Sequence, residues 1–142
     1  MIAKSFFSEI KITGSFKARG AFNKVLLLSE KQKRDGCVTA SSGNHGAASA
    51  CAMRELGVTG LVFVPEGTST IKVDAIKRSG CEVRFFGKDG VDTENYARRY
   101  ATENNLTYLS PYNDKEVING LDGREWKVKT YPNGRKRWVL NK

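Results

Sequence analysis

The sequence predicts an α/β fold, an open and mostly parallel sheet with flanking helices. Three observations carry this prediction. Short strand-like apolar runs alternate along the chain with segments of helical periodicity. The run Gly60-Leu61-Val62-Phe63-Val64, ended by Pro65, is apolar after its glycine, as expected of a parallel strand covered on both faces. Gly57 and Gly80 each close a helical segment just before a strand-like one, where a glycine ends a helix at least cost.

Taken in order, Ser15 can cap a first helix in which Ala18, Ala21, Phe22, Val25 and Leu28 recur at helical spacing. Val38-Thr39-Ala40 is a short strand after Gly36. Ala48, Cys51, Ala52 and Leu56 form the face of a second helix, which stops at Gly57. Beyond the Gly60–Val64 strand, Ser69 or Thr70 caps a third helix through Ala75 and Ile76 that ends at Gly80. Cys81-Glu82-Val83-Arg84-Phe85-Phe86 alternates and reads as a strand. Asp92 opens a fourth helix bearing Tyr96, Ala97, Tyr100 and Ala101. Leu106-Thr107-Tyr108-Leu109 is a last short strand. After Gly120 the rhythm changes, and Asn133-Gly134 between two β-rich runs signals a hairpin.

Composition narrows the function classes. With 142 residues, 39% hydrophobic and 27% charged, the chain is expected to be soluble. No apolar run reaches the roughly 18 residues that span a bilayer. The start, Met1 to Phe7, is too short and too soon charged for a secretory signal. Cys37, Cys51 and Cys81 are odd in number and far apart. A disulfide framework or clustered metal site is therefore not expected, and a reducing, cytoplasmic setting is. The single histidine, His45, excludes a multi-histidine zinc site within one chain. The net charge is +9, and residues 121–142 alone contribute +5, with seven Lys/Arg against two acids. That tail reads as a solvated basic segment. No zinc-finger or basic-zipper pattern accompanies it, so neither a nucleic-acid nor a membrane partner is expected.

Two segments carry chemistry. Thr13-Gly14-Ser15-Phe16-Lys17-Ala18-Arg19-Gly20-Ala21 places Lys17 in the first turn of a helix behind a small polar turn. A lysine that condenses with an aldehyde must lose its proton, from an unperturbed pKa of about 10.4. Burial and the positive end of a helix dipole both favour the neutral amine. Alone, Lys17 reads as a solvated surface lysine. The second segment is Ser41-Ser42-Gly43-Asn44-His45-Gly46, between the Val38 strand and the Ala48 helix. In an open α/β sheet, ligands bind where such small-residue loops meet helix N-termini, because backbone N–H groups point outward there. Asn44 adds an amide that both donates and accepts. Asn44 is also compatible with a plain helix cap, and His45 with shaping the loop.

Together the two motifs resemble the fold type II pyridoxal-phosphate enzymes, and most closely the serine/threonine dehydratase and serine racemase branch. Val64-Pro65-Glu66-Gly67, Lys72 and Gly80-Cys81-Glu82-Val83 follow in matching order, and the resemblance covers roughly residues 5 to 119. It implies pyridoxal 5′-phosphate as cofactor. Lys17 matches the lysine that forms the imine and moves the substrate Cα proton, and Phe16 the aromatic residue beside the cofactor ring. Asn44 matches the residue that hydrogen-bonds the ring's phenolic oxygen. Ser42, Gly43, Asn44 and His45 match the loop that grips the substrate carboxylate. Ser42 also matches the serine that acts in racemases as a second base on the opposite face.

The implied activity is α,β-elimination on L-serine or L-threonine, giving a 2-oxo acid and ammonia. Serine racemisation is the close alternative, and a non-catalytic interaction fragment the alternative from another class. A homodimer remains open. The resemblance divides the chain into residues 1–37, a large-domain piece with the lysine helix; residues 38–119, a parallel small domain; and residues 120–142, a divergent basic tail. Leu121 to Lys142 matches nothing in the family. The family's tetraglycine loop for the cofactor phosphate has no counterpart in the sequence, so a truncated form with weak cofactor retention and little or no turnover is expected.

Overall fold

The computed structural model describes residues 17–110, 118–119, 125–132 and 136–140. The chain divides into two compact units, between Leu109 and Ser110. In the first, helices α1 (Lys17–Leu26) and α2 (Glu30–Asp35) precede β1 (Cys37–Ala40). Then follow α3 (Asn44–Glu55), β2 (Gly60–Val64), α4 (Thr70–Arg78), β3 (Glu82–Phe85), α5 (Gly90–Glu103) and β4 (Thr107–Tyr108). The four strands form one sheet in the order β3-β2-β1-β4, every pair parallel. This is the expected α/β architecture.

The order has a direct consequence. From β1 the chain steps through β2 to β3, then crosses back by α5 to place β4 on the other side of β1. The direction of winding therefore reverses between β1 and β4. Just outside the carboxyl ends of two such strands lies the crevice where α/β sheets receive ligands.

Hydrophobic burial explains the two layers. On one face Val62 and Val64 join Ala18, Phe22 and Val25 of α1, Ala48, Ala52 and Met53 of α3, and Val73 and Ile76 of α4. On the other, Val38, Leu61 and Phe63 meet Ala97 and Ala101 of α5. The residues of β2 alternate between these two clusters, which is why that strand reads as a continuous apolar run. Gly60 lets β2 approach α3 closely, since a Cβ there would fall 2.4 Å from Met53 Sδ and 2.9 Å from Cys81 Sγ.

Several expectations need adjustment. Ser15 lies outside the described residues. Helix α5 begins at Gly90, two residues before Asp92, because the Asp89 carboxylate accepts from the Val91 and Asp92 N–H groups and so caps it. Helix α2 was not expected; it buries no residue and rests on a reciprocal capping box between Ser29 and Gln32. Strand β3 stops at Phe85, and as an edge strand it leaves Phe85 half exposed.

The second unit holds β5 (Ile118–Asn119), β6 (Glu125–Thr130) and β7 (Lys136–Leu140), in that order in an antiparallel sheet. The β6–β7 register runs from Trp126↔Leu140 to Thr130↔Lys136, which is the expected hairpin. Residues 133–135, at its turn, lie outside the described residues.

Candidate active site

The reversal point is where the Ser41-Ser42-Gly43 loop leaves β1 and enters α3. The loop is held from both ends. Ser41 N–H donates to Phe63 O at 3.1 Å, which fastens the loop to β2. Gly43 N–H donates to Ser41 Oγ at 3.2 Å, which folds the loop back on itself. Gly43 is the N-cap of α3, in extended conformation (φ −107°, ψ −157°), and supplies no side-chain cap. Helix α3 therefore starts with first-turn donors that no side chain of its cap residue claims. An anionic group is the natural partner of such a head.

Burial sorts the loop residues. Ser42 is half-buried, Gly43 and Asn44 are exposed, and His45 and Gly46 are buried. Gly46 fits only as glycine, since a Cβ would lie 2.1 Å from Ser41 O. Loop and helix thus meet backbone to backbone at Gly46, which fixes how Gly43 and Asn44 present themselves. The His45 ring turns inward. Its Nε2 lies 3.1 Å from Thr39 Oγ1, 3.3 Å from Ser49 Oγ and 3.3 Å from Leu109 O.

The structure brings Ser42, Gly43, Asn44 and His45 together in one loop and helix head. Lys17 is the first residue of α1, and α1 packs along α3. The side chain of Lys17, and Phe16 altogether, lie outside what is described. Sequence reasoning missed Thr39, Ser49 and the Leu109 carbonyl as partners of His45. Only Ser49, four residues along the same helix, had a local signal.

The cysteines stand apart from this chemistry. Burial, followed by the neighbouring Cys81, pushes the Cys37 thiol up to about 11. Burial also raises Cys81, against a lowering by Arg54. Neither favours a thiolate near neutral pH. Among the described residues, no group of three His, Cys, Asp or Glu side chains could hold a metal, and no helix is long and apolar enough to cross a membrane.

Comparison with known proteins matches this architecture to one family. The sequence pattern of the family described as "Pyridoxal-phosphate dependent enzyme" matches residues 9–124, most of the chain. The chain belongs to the pyridoxal-phosphate dependent enzyme family. Among curated relatives, it is 40% identical over 112 residues to the catabolic L-threonine dehydratase TdcB of Staphylococcus aureus strain N315, covering 79% of this chain and 32% of the relative. Among solved structures, it superposes on the processed form of threonine deaminase isoform 2 from Solanum lycopersicum with a TM-score of 0.69 at 34% identity, over 70% of this chain and 29% of that one. Maize serine racemase gives a TM-score of 0.68 at 32% identity, over 72% and 31% respectively. The chain spans about a third of the length of these relatives.

Pyridoxal 5′-phosphate is the cofactor of the family. The α3 head fits the ionic part of such chemistry, since Gly43 places no capping side chain over the first turn. Asn44, exposed at the first helical position, is free of the steric cover that buries His45 next to it.

Proposed function

We propose that this chain carries the lysine and substrate-carboxylate elements of a pyridoxal-phosphate-dependent L-serine/L-threonine dehydratase, an ammonia-lyase that yields a 2-oxo acid. The observation that carries this reading is the glycine-capped head of α3 at the reversal between β1 and β4. It offers backbone donors to a substrate carboxylate in a family that acts through an aldehyde cofactor.

In this reading Ser42, Gly43, Asn44 and the backbone of His45 hold the carboxylate and so fix the amino acid's orientation. Asn44 would also hold the phenolic oxygen of the cofactor, and Phe16 would be the aromatic residue for its ring. Lys17 would remove the Cα proton, the β-hydroxyl would take up a proton and leave as water, and the aminoacrylate released would be hydrolysed to the 2-oxo acid and ammonia. The bound cofactor supplies the electron sink that acidifies Cα. Residues 1–37 would belong to the larger domain of such an enzyme and residues 38–119 to its small parallel domain, with residues 120–142 a divergent basic tail. The protein acts in the cytoplasm on a small amino acid, and a homodimer is the arrangement to test first.

No two glycines are adjacent anywhere in the 142 residues, so no tetraglycine loop is present to cradle the cofactor phosphate. The chain by itself is therefore expected to hold the cofactor weakly and turn over little. Borohydride reduction with added pyridoxal phosphate, followed by peptide mapping, tests the reading. Label concentrated on Lys17 supports it. Label spread evenly over surface lysines overturns it in favour of a non-catalytic fragment. Formation of 2-oxo acid from L-serine and L-threonine measures the remaining activity, and a rate near the ordinary 10 per second or so would refute the weak-turnover expectation.

A second reading is serine racemisation, with Ser42 as the opposite-face base. It is supported by the similarity to maize serine racemase, nearly equal to that to the deaminase. D-serine formed from L-serine, lost on Ser42→Ala, separates it from elimination.

A further inference from the structure

The His45 ring faces away from the exposed side of its loop. Thr39, at the end of β1, and His45, in the first turn of α3, are six residues apart, and the loop lies between them. Their side chains meet at 3.1 Å, so one contact closes the loop across its base. Thr39 Oγ1 also lies 2.7 Å from Leu109 O, and a carbonyl can only accept, so the hydroxyl proton goes to Leu109. Thr39 Oγ1 then has only lone pairs for the ring, and Nε2 must carry a proton to use them. The same N–H faces Leu109 O and Ser49 Oγ at 3.3 Å. One imidazole nitrogen thus ties together the end of β1, the chain leaving β4 and the body of α3, the three elements around the reversal point.

We infer that His45 is a positioning residue. Its ring, held as the Nε2–H tautomer by Thr39, clamps the Ser41–Asn44 loop so that the α3 head is preorganised for a carboxylate. The ligand part of this inference rests on the proposed function; the clamp itself does not. A loop closed at its base loses less freedom when it binds a ligand, and so binds more tightly.

Because His45 is the only histidine, a long-range ¹H–¹⁵N spectrum of the full chain contains one imidazole. The expected pattern is a pyrrole-like Nε2 and a pyridine-like Nδ1. The reverse pattern, or the averaged signals of a freely exchanging ring, overturns the inference. Thr39→Val removes the acceptor at nearly constant shape, and Thr39→Ser keeps it. The valine variant is expected to exchange the Gly43 and Asn44 amides faster. It is also expected to bind L-serine, in the presence of pyridoxal phosphate, about fivefold to tenfold more weakly, the worth of roughly one hydrogen bond. The serine variant restores both, and Lys17 labelling is unchanged in both. Equal loss in the serine and valine variants, or unchanged loop exchange in the valine variant, means that the hydroxyl does not set the loop, and the clamp fails. If the unmodified chain binds no L-serine, the proposed function fails instead, and the tautomer and amide exchange still decide the clamp.

Discussion

At the head of α5, the Asp89 carboxylate accepts from Val91 N and Asp92 N at 2.9 Å each; at the head of α3, Gly43 has no side chain with which to do so. The two helices are similar in length, at 14 and 12 residues, and both pack on the sheet. Helix α2 closes its head as α5 does, through the Ser29–Gln32 box. Helix α4 stands between, with a Ser69 hydroxyl that makes no cap bond. Side chains thus close the heads of α2 and α5, while neither α3 nor α4 has a side-chain cap. The helix at the winding reversal has no side-chain cap and is secured instead from behind, by backbone packing at Gly46 and by the His45 contacts.

The sharpest way to break this comparison is at Gly46. A side chain there meets the Ser41 carbonyl oxygen at 2.1 Å, and backbone cannot swing aside as a side-chain end can. Gly46→Val is expected to cost about 3 kcal/mol or more in urea unfolding. Gly43→Ala is expected to stay within about 0.5 kcal/mol, since its Cβ meets only Ser41 Oγ, at 3.9 Å. Equal stability of the two variants would show that loop and helix do not meet backbone to backbone.

Much of this arrangement was legible from the sequence. The strand β2 and the ends of α3 and α4 followed from apolar periodicity and from Gly57 and Gly80, which take φ of +68° and +86°, whereas the cap of α3 is Gly43 and not Asn44. The loop motif could be placed between a strand and a helix because both neighbours were strongly patterned. What escaped had a physical reason. Helix α2 has no apolar face, so periodicity could not reveal it. Asp89 and Asp92 are equally plausible caps in one dimension, and only backbone geometry chose Asp89. The exposure of Phe85 follows from strand order, which puts β3 at the sheet edge and is not written in local pattern. The His45 contact with Leu109 spans 64 residues, beyond any local signal.

A second contrast separates the open loop from the closed core behind it. The Cys37 thiol is held near 11 in the folded chain, above its ordinary value of about 9. The folded state therefore binds more protons than the unfolded state between roughly pH 9 and 11, and stability falls as pH rises through that window. Below pH 9 this group has no effect. Cys37→Ala is expected to flatten the alkaline decline measured by urea unfolding from pH 8 to pH 10.5. A decline of unchanged slope would mean that Cys37 is not the group responsible. At pH 7.5 the buried thiols are expected to react with a maleimide only as fast as the chain opens.

Asp89→Ala tests the closed head. Loss of one carboxylate that serves two N–H groups is expected to cost about 1 kcal/mol. The binding of L-serine and the labelling of Lys17 are expected to be unchanged, because α5 covers the other face of the sheet. Weakened labelling without loss of stability would mean that the two helix heads are not independent.

The smallest change in stability carries the most information about the open head. Gly43→Asp gives α3 the kind of cap that α5 already has. The backbone there, at φ −107°, suits any residue, and the space beside it is open. Aspartate in place of glycine at an N-cap is expected to add a few tenths of a kcal/mol to stability. The new carboxylate would occupy the donors and repel an incoming carboxylate, so L-serine binding in the presence of cofactor is expected to fall by tenfold or more. Gly43→Asn provides a cap without charge and is expected to lower binding less. The two effects of the aspartate variant therefore run in opposite directions, with stability up and affinity down. No general loosening or tightening of the fold produces that pair. If affinity and stability instead moved together, the α3 head would be an ordinary helix start with a weak cap, and the carboxylate would have to be held elsewhere.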